Sequence, residues 1–185
     1  MSTSTLEYVD AVEHLPQGAS LVLSDIDWER YEELLEMLDH RPGLRVAYDD
    51  GRLEVMNPRS EHESDKEFVL RLVGAFAEEK GLPLETRGST TWKRRQLRKG
   101  VEPDTCFYVA NAARIIPGRG HIDLEVDPPP DIAVEVDVTS DSLPKFPIYA
   151  ALRVPELWRY IRNAFEMYRL EGEGYVKIEF STSLP

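Results

Sequence analysis

A single cysteine, Cys106, leaves no partner for a disulfide within the chain and excludes a disulfide framework. It stands in the apolar run Thr105–Val109 and reads as a buried thiol in a reducing interior. No apolar stretch approaches the roughly 20 residues that a membrane-spanning helix needs. The first twenty residues have neither a basic start nor an apolar centre, so they do not read as a signal peptide. The expectation is a cytoplasmic protein with no membrane partner. Positive charge is also scarce: 22 Lys and Arg face 34 Asp and Glu, for a net charge of −12. That balance excludes a broadly basic surface of the kind that drives binding to nucleic-acid phosphates. Internal repeats and low-complexity segments are missing too.

What remains is enough for one core. The apolar fraction is 42%, and the length of 185 residues fits a single domain. Residues 1–20 are weakly patterned and expected along the surface, with one domain over 21–185. Ser24 to Asp27 can cap a helix through Trp28, Tyr31, Leu34, Leu35 and Leu38, ended by Arg41-Pro-Gly43. Leu44–Tyr48 and Arg52–Met56 alternate around Asp49-Asp-Gly51 and read as a hairpin. Ser60-Glu-His-Glu63 has the form of a capping box, opening a helix to Lys80 that Gly81 stops. Strands are predicted at Leu84–Trp92, Thr105–Val109, Asp131–Val138, Glu156–Ile161, Ala164–Leu170 and Tyr175–Phe180. Ile115–Pro130 reads as a loop and Ile148–Arg153 as a short helix. This order predicts an α/β or α+β domain, with a mixed sheet flanked by helices.

The stretch from Val101 to Glu135 carries the chemistry. Strand alternation puts Asp131, Glu135 and Asp137 on one face, with Ile132, Val134 and Val136 on the other. Carboxylates so arranged need a cation, a base or water. Glu102 and Asp104 form a second acidic cluster, and Lys145 follows closely. Two carboxylates from neighbouring strands are the usual protein share of a Mg²⁺ site, with waters and phosphate oxygens completing the shell. A nearby lysine can orient a water and offset charge on a phosphoryl transition state. His62 shares a helical stripe with Val69, Val73 and Phe76. It reads either as a satisfied core histidine or, if the acidic strand lies beneath it, as part of the site. The six basic residues Arg87, Lys93, Arg94, Arg95, Arg98 and Lys99, with no acid among them, read either as a solvated loop or as a phosphate-facing patch.

Taken in order, several motifs resemble the Uma-type family of restriction-endonuclease-like proteins, a branch of the PD-(D/E)XK nucleases. They are Asp49-Asp-Gly-Arg-Leu-Glu-Val-Met56, Ser60-Glu-His62, Gly88-Ser-Thr-Thr91, Gly100-Val-Glu-Pro-Asp104, Asp131-Ile-Ala-Val-Glu-Val136, Lys145 with Tyr149, and Val154-Pro-Glu-Leu-Trp158. The similarity runs from about Leu21 to Arg162. It implies a restriction-endonuclease-like core and a Mg²⁺- or Mn²⁺-dependent endonuclease acting on DNA. Asp104 and Glu135 would be metal ligands, joined by the backbone carbonyl of Val136. His62 and Glu102 would belong to the same pocket, and Lys93, Arg94, Arg95, Arg98 and Lys99 would face DNA. A homodimer is the expected assembly. The parent motif has a lysine two residues after the glutamate, where this chain has Asp137. The resemblance assigns that role to Lys145, which lies between Pro144 and Pro147. The rival readings are an inactive nuclease-fold module that binds nucleic acid or protein, and a regulatory homodimer whose acidic face meets a protein.

Overall fold

The computed structural model describes residues 5–38, 43–115, 122–138 and 141–185. Its elements run α1 Thr5–Glu13, β1 Ser20–Leu23, α2 Trp28–Leu38, β2 Arg45–Asp49, β3 Arg52–Met56, α3 Ser60–Lys80, β4 Glu85–Thr86, β5 Trp92–Arg94, β6 Lys99–Val101, β7 Thr105–Tyr108, β8 Ile132–Asp137, α4 Phe146–Ala151, β9 Glu156–Ile161, β10 Ala164–Glu171 and β11 Gly174–Ile178. Short 3-10 turns lie at Arg95–Leu97, Ala112–Arg114 and Leu143–Lys145.

The strands form two sheets. One is antiparallel, ordered β1-β3-β2-β6-β5, and the other is mixed, ordered β11-β10-β9-β8-β7-β4. Among the described residues, the one parallel pair is β8 with β9. Parallel neighbours need a crossover, and here the 3-10 turn Leu143–Lys145 and α4 supply it. The α+β class with helices on a mixed sheet stands as the sequence predicts. The hairpin β2–β3 closes through a two-residue turn with φ of 42° at Asp50 and 100° at Gly51. Positive φ at both positions is what a type I′ turn requires.

Three apolar clusters order the layers. Trp28, Tyr31 and Leu34 of α2 pack on Val46, Tyr48, Leu53 and Val55 of the antiparallel sheet. The other face of that sheet gives Ala47, Trp92 and Val101 to a core shared with Cys106, Tyr108, Ala133 and Leu157 of the mixed sheet and with Ile148 and Tyr149 of α4. Across the mixed sheet, Phe107, Ile132, Val134, Val136, Trp158 and Tyr160 meet Val69 and Val73 of α3. β8 is therefore buried on both faces. Its apolar face rests on α3, and its acidic face looks into the central core. Burying Cys106 there pushes its thiol up to about 12, so it stays protonated.

Several local expectations differ from the structure. The first twenty residues include α1, whose Val12 is buried against the α2 cluster. Leu84–Trp92 is not one strand. β4 ends at Thr86, Gly88 has φ of 54°, and Thr90 Oγ1 donates to the Arg87 carbonyl in a turn before β5. The capping box is not formed: Arg59 is the N-cap residue of α3 and makes no side-chain capping bond. Phe76 is exposed, and Ala77 takes its place on the buried stripe with Val69 and Val73. Gly81 ends α3 with φ of 63° as predicted, its N–H shared between the carbonyls of Ala77 and Glu78. Asp27 caps α2, its Oδ1 accepting the Arg30 N–H at 2.8 Å. The predicted stop at Arg41-Pro42, and residues 116–121 of the predicted loop, lie outside the described residues. Glu156 ties the chain end to β9: its carboxylate accepts the N–H groups of Thr182 and Ser183 at 2.7 and 2.9 Å. Among the described residues, no helix is long and apolar enough to cross a membrane.

Candidate active site

The first carboxylate sits just before β7. Asp104 N–H donates to the Val134 carbonyl at 3.1 Å, which extends the β7–β8 ladder by one residue and fixes the side chain against β8. Asp104 Oδ2 accepts the Val136 N–H at 2.8 Å. Its Oδ1 accepts Nε of Arg45, the first residue of β2, at 3.1 Å. His62, in the first turn of α3, places Nε2 at 3.2 Å from Oδ2. That is ion-pair distance for an imidazolium, but neither ring nitrogen is aligned for a hydrogen bond. Burial alone would raise the Asp104 carboxyl. The His62 imidazole, the Lys145 charge and the Val136 N–H outweigh burial and hold it below the usual aspartate range.

The second carboxylate lies in mid-β8. Glu135 is 2% exposed, with Tyr149 OH donating to Oε1 and Lys145 Nζ donating to Oε2 at 2.7 Å. Lys145 and Tyr149 stand one helical turn apart, so both side chains leave the crossover on the same side. The flanking prolines do not turn the lysine away, because each lies in the first turn of its helix, where no N–H is needed. Burial pushes Glu135 up to about 7. The Lys145 charge opposes this shift and the Asp104 charge adds to it. Burial would lower Lys145, but Glu135 and Asp104 hold its ammonium above the usual lysine value.

The other acids of the region go to separate partners. Asp131 takes the N–H groups of Val109 and Asn111 at 2.7 and 3.0 Å, and Asn111 Nδ2 at 2.8 Å. Asp137 Oδ2 accepts Arg159 Nε at 2.7 Å and Ser142 Oγ at 3.0 Å. Glu102 accepts the Val46 N–H at 3.1 Å and Thr91 Oγ1 at 2.5 Å, and burial raises its carboxyl. Its own N–H donates to the Val46 carbonyl at 2.9 Å, so Glu102 clamps β2 beside Arg45. Thus Asp104, Glu135, His62, Lys145 and Val136 converge, while Glu102 works one layer out. A small open pocket over Glu135 and Lys145 is lined by Val136, Asp137, Asp141 and Ser142, with Glu54 and Met56 of β3 opposite.

Five of the six residues of the basic run lie in the hairpin β5–β6, and Arg87 stands before it, paired with Glu85 at 3.0 Å. Lys93 pairs with Glu32, Arg95 with Glu29 and Glu32, Arg98 with Asp50, and Lys99 with Asp49. Arg94 donates to the Leu124 carbonyl at 2.8 Å. Arg95 and Arg98 are the more exposed, with side chains at 58% and 49%.

Carboxylate oxygens are the donor type of a hard divalent cation held by few protein ligands. Asp104 and Glu135 could hold it, each offering carboxylate oxygens from neighbouring strands. All four of those oxygens already accept a donor: Arg45, the Val136 N–H, Tyr149 and Lys145. Among the described residues, no group of three or more His, Cys, Asp or Glu could hold a metal ion. Sequence reasoning missed two cations of this region, Arg45 and Arg159. Arg45 opens β2 and Arg159 lies in mid-β9, both buried among mostly apolar neighbours, and that mismatch was the available signal.

No match appears among curated proteins. Among solved structures, the fold is similar to that of a protein from Anabaena variabilis described as a putative nuclease, with TM-score 0.51 and 11% identity over 75% of this chain and 83% of that one. A family model described as "Uma2: Putative restriction endonuclease" matches residues 28–184. The buried Asp104–Glu135–Lys145 constellation thus lies in a chain that belongs to the Uma2 family.

Proposed function

We propose that this protein is a Mg²⁺- or Mn²⁺-dependent endonuclease that hydrolyses DNA phosphodiester bonds. The observation that carries the reading is the approach of Lys145 to Glu135 at 2.7 Å, beside Asp104, on the scaffold of a nuclease family. Asp104, Glu135 and the Val136 carbonyl would hold the metal. When bound, it supplies Lewis-acid polarisation of the scissile phosphate. Lys145 orients the attacking water and offsets charge that develops on the phosphoryl group. Tyr149 and the Val136 N–H fix the two carboxylates, and His62 Nε2 stands 3.2 Å from Asp104. Arg45, held by Glu102's grip on β2, keeps Asp104 turned toward β8. Arg95 and Arg98 lead the DNA contact, with Lys93, Arg94 and Lys99 behind them. Their acidic partners exchange for phosphates as counterions would. The working unit is a cytoplasmic homodimer.

The test is incubation of plasmid DNA with purified protein and Mg²⁺ or Mn²⁺. Cleavage that stops on chelation, and is absent from Asp104→Asn and Glu135→Gln, is the expected result. A second reading is an inactive nuclease-fold binding module. Two observations favour it: donors occupy all four carboxylate oxygens, and Glu54 and Asp141 put acids around the pocket. DNA binding without cleavage in either metal selects that module.

A further inference from the structure

Asp137 occupies the place where the parent motif has its lysine, and the structure gives this departure a partner. Arg159 lies opposite Glu135 in the β8–β9 ladder, so the two side chains share a face. Arg159 is 6% exposed and answers three acids at once. Its Nε donates to Asp137 Oδ2 at 2.7 Å and to Ser142 Oγ at 3.1 Å. Its terminal nitrogens reach Asp141 Oδ1 at 2.8 Å and Glu166 Oε2 at 3.1 Å. Asp137 Oδ2 also takes the Ser142 N–H at 3.3 Å. The Ser142 carbonyl then accepts the Lys145 N–H at 2.9 Å, closing the 3-10 turn from which the lysine reaches Glu135.

We infer that Arg159 is a positioning residue for Lys145. It fixes Asp141 and Ser142 on Asp137, and Ser142 in turn sets the start of the turn that aims the ammonium. A lysine at position 137 would repel Arg159, so the lysine's move to position 145 and the Asp137–Arg159 pair form one arrangement. A planar guanidinium can serve several carboxylates and a hydroxyl together; a lysine there could not. The catalytic meaning of this placement rests on the nuclease reading, but the placement itself does not.

The experiment follows the Lys145 side-chain ammonium by ¹H–¹⁵N NMR of ¹⁵N-lysine-labelled full-length protein, without metal or DNA. Lys145→Met assigns the signal. The wild type is expected to show a Lys145 ammonium peak protected from exchange with water. Arg159→Gln should lose that peak, while Glu156→Gln, which loosens the distant chain end, should keep it. If Arg159→Gln does not fold, Ser142→Ala removes one link of the same relay and should broaden or shift the peak. An unchanged peak in folded Arg159→Gln, or in Ser142→Ala if that variant must stand in, overturns the inference. So does equal loss in Glu156→Gln, because general loosening would then account for the effect. Loss confined to the Arg159 relay in a protein that never cuts DNA keeps the positioning role and removes the nuclease reading.

Discussion

Lys145 reaches back across the crossover to Glu135, its Nζ donating to Oε2 at 2.7 Å although prolines stand at positions 144 and 147. The pair joins a buried anion that burial drives toward neutrality to a cation that neighbouring anions keep charged. Each partner therefore depends on the other, and changes to either should separate cleavage, metal binding and stability.

Removing the ammonium tests its role in the transition state. Lys145→Met should lower DNA cleavage by about 100-fold or more, the scale of a positioned acid–base or electrostatic group. Its Mn²⁺ affinity should stay equal to or above that of wild type, because a competing cation has left Glu135. Single-turnover cleavage and Mn²⁺ titration measure the two. A parallel fall in both would make Lys145 a support for the metal site.

Glu135 predicts a pH dependence with a definite sign. Its folded value of about 7 lies above the ordinary glutamate value, so the metal-free fold takes up a proton more readily than the unfolded chain. The stability contributed by this proton is present at pH 4 and is lost as pH rises through about 7. Glu102, also raised by burial, contributes with the same sign. In urea titrations without metal, wild type should lose more stability between pH 5 and pH 8 than Glu135→Gln does. Mn²⁺ affinity should rise over the same interval as the carboxyl deprotonates. Matching pH slopes in the two proteins would contradict this account.

Arg45 is a buried cation on a buried anion. Taking away one partner of such a pair typically costs about 3–5 kcal/mol, because the other stays buried and uncompensated. His62 and the Val136 N–H remain to share Asp104, so Arg45→Met should fall at the lower end of that range. Urea unfolding reports it, and a cost below about 1 kcal/mol would remove Arg45 from the support of Asp104.

For the basic hairpin, the acids matter as much as the bases. Glu29→Gln with Glu32→Gln should release Arg95 and Lys93 and tighten DNA binding. Neutralising Arg95 and Arg98 should weaken binding to all sequences and reduce the salt slope by about one unit for each phosphate left without its cation. DNA affinity that ignores all four changes would return the hairpin to a solvated, self-paired surface.

The sequence discloses what periodicity and turn chemistry encode. The alternation of β8, the Asp50-Gly51 turn and the Gly81 stop are all local signals, and each appears in the structure where the sequence places it. Lys145 could be set beside the acidic strand because it follows that strand so closely. Other features depend on long-range packing. Phe76 and Ala77 are adjacent, and only the seating of α3 on the mixed sheet decides that the smaller residue goes inside. Arg45 meets Asp104, and Arg159 meets Asp137, across strands far apart in sequence, so no spacing rule joins them. The segment 84–92 has strand-like composition, but the turn at Gly88 passes the chain from one sheet to the other.

The most direct test of the account is a Mn²⁺-soaked crystal, read by anomalous diffraction beside a cleavage assay on the same preparation. The account predicts an anomalous peak at Asp104 and Glu135, lost in Glu135→Gln, and DNA cleavage that chelation abolishes. A site without a peak at saturating Mn²⁺, in a protein that leaves DNA intact, would contradict it.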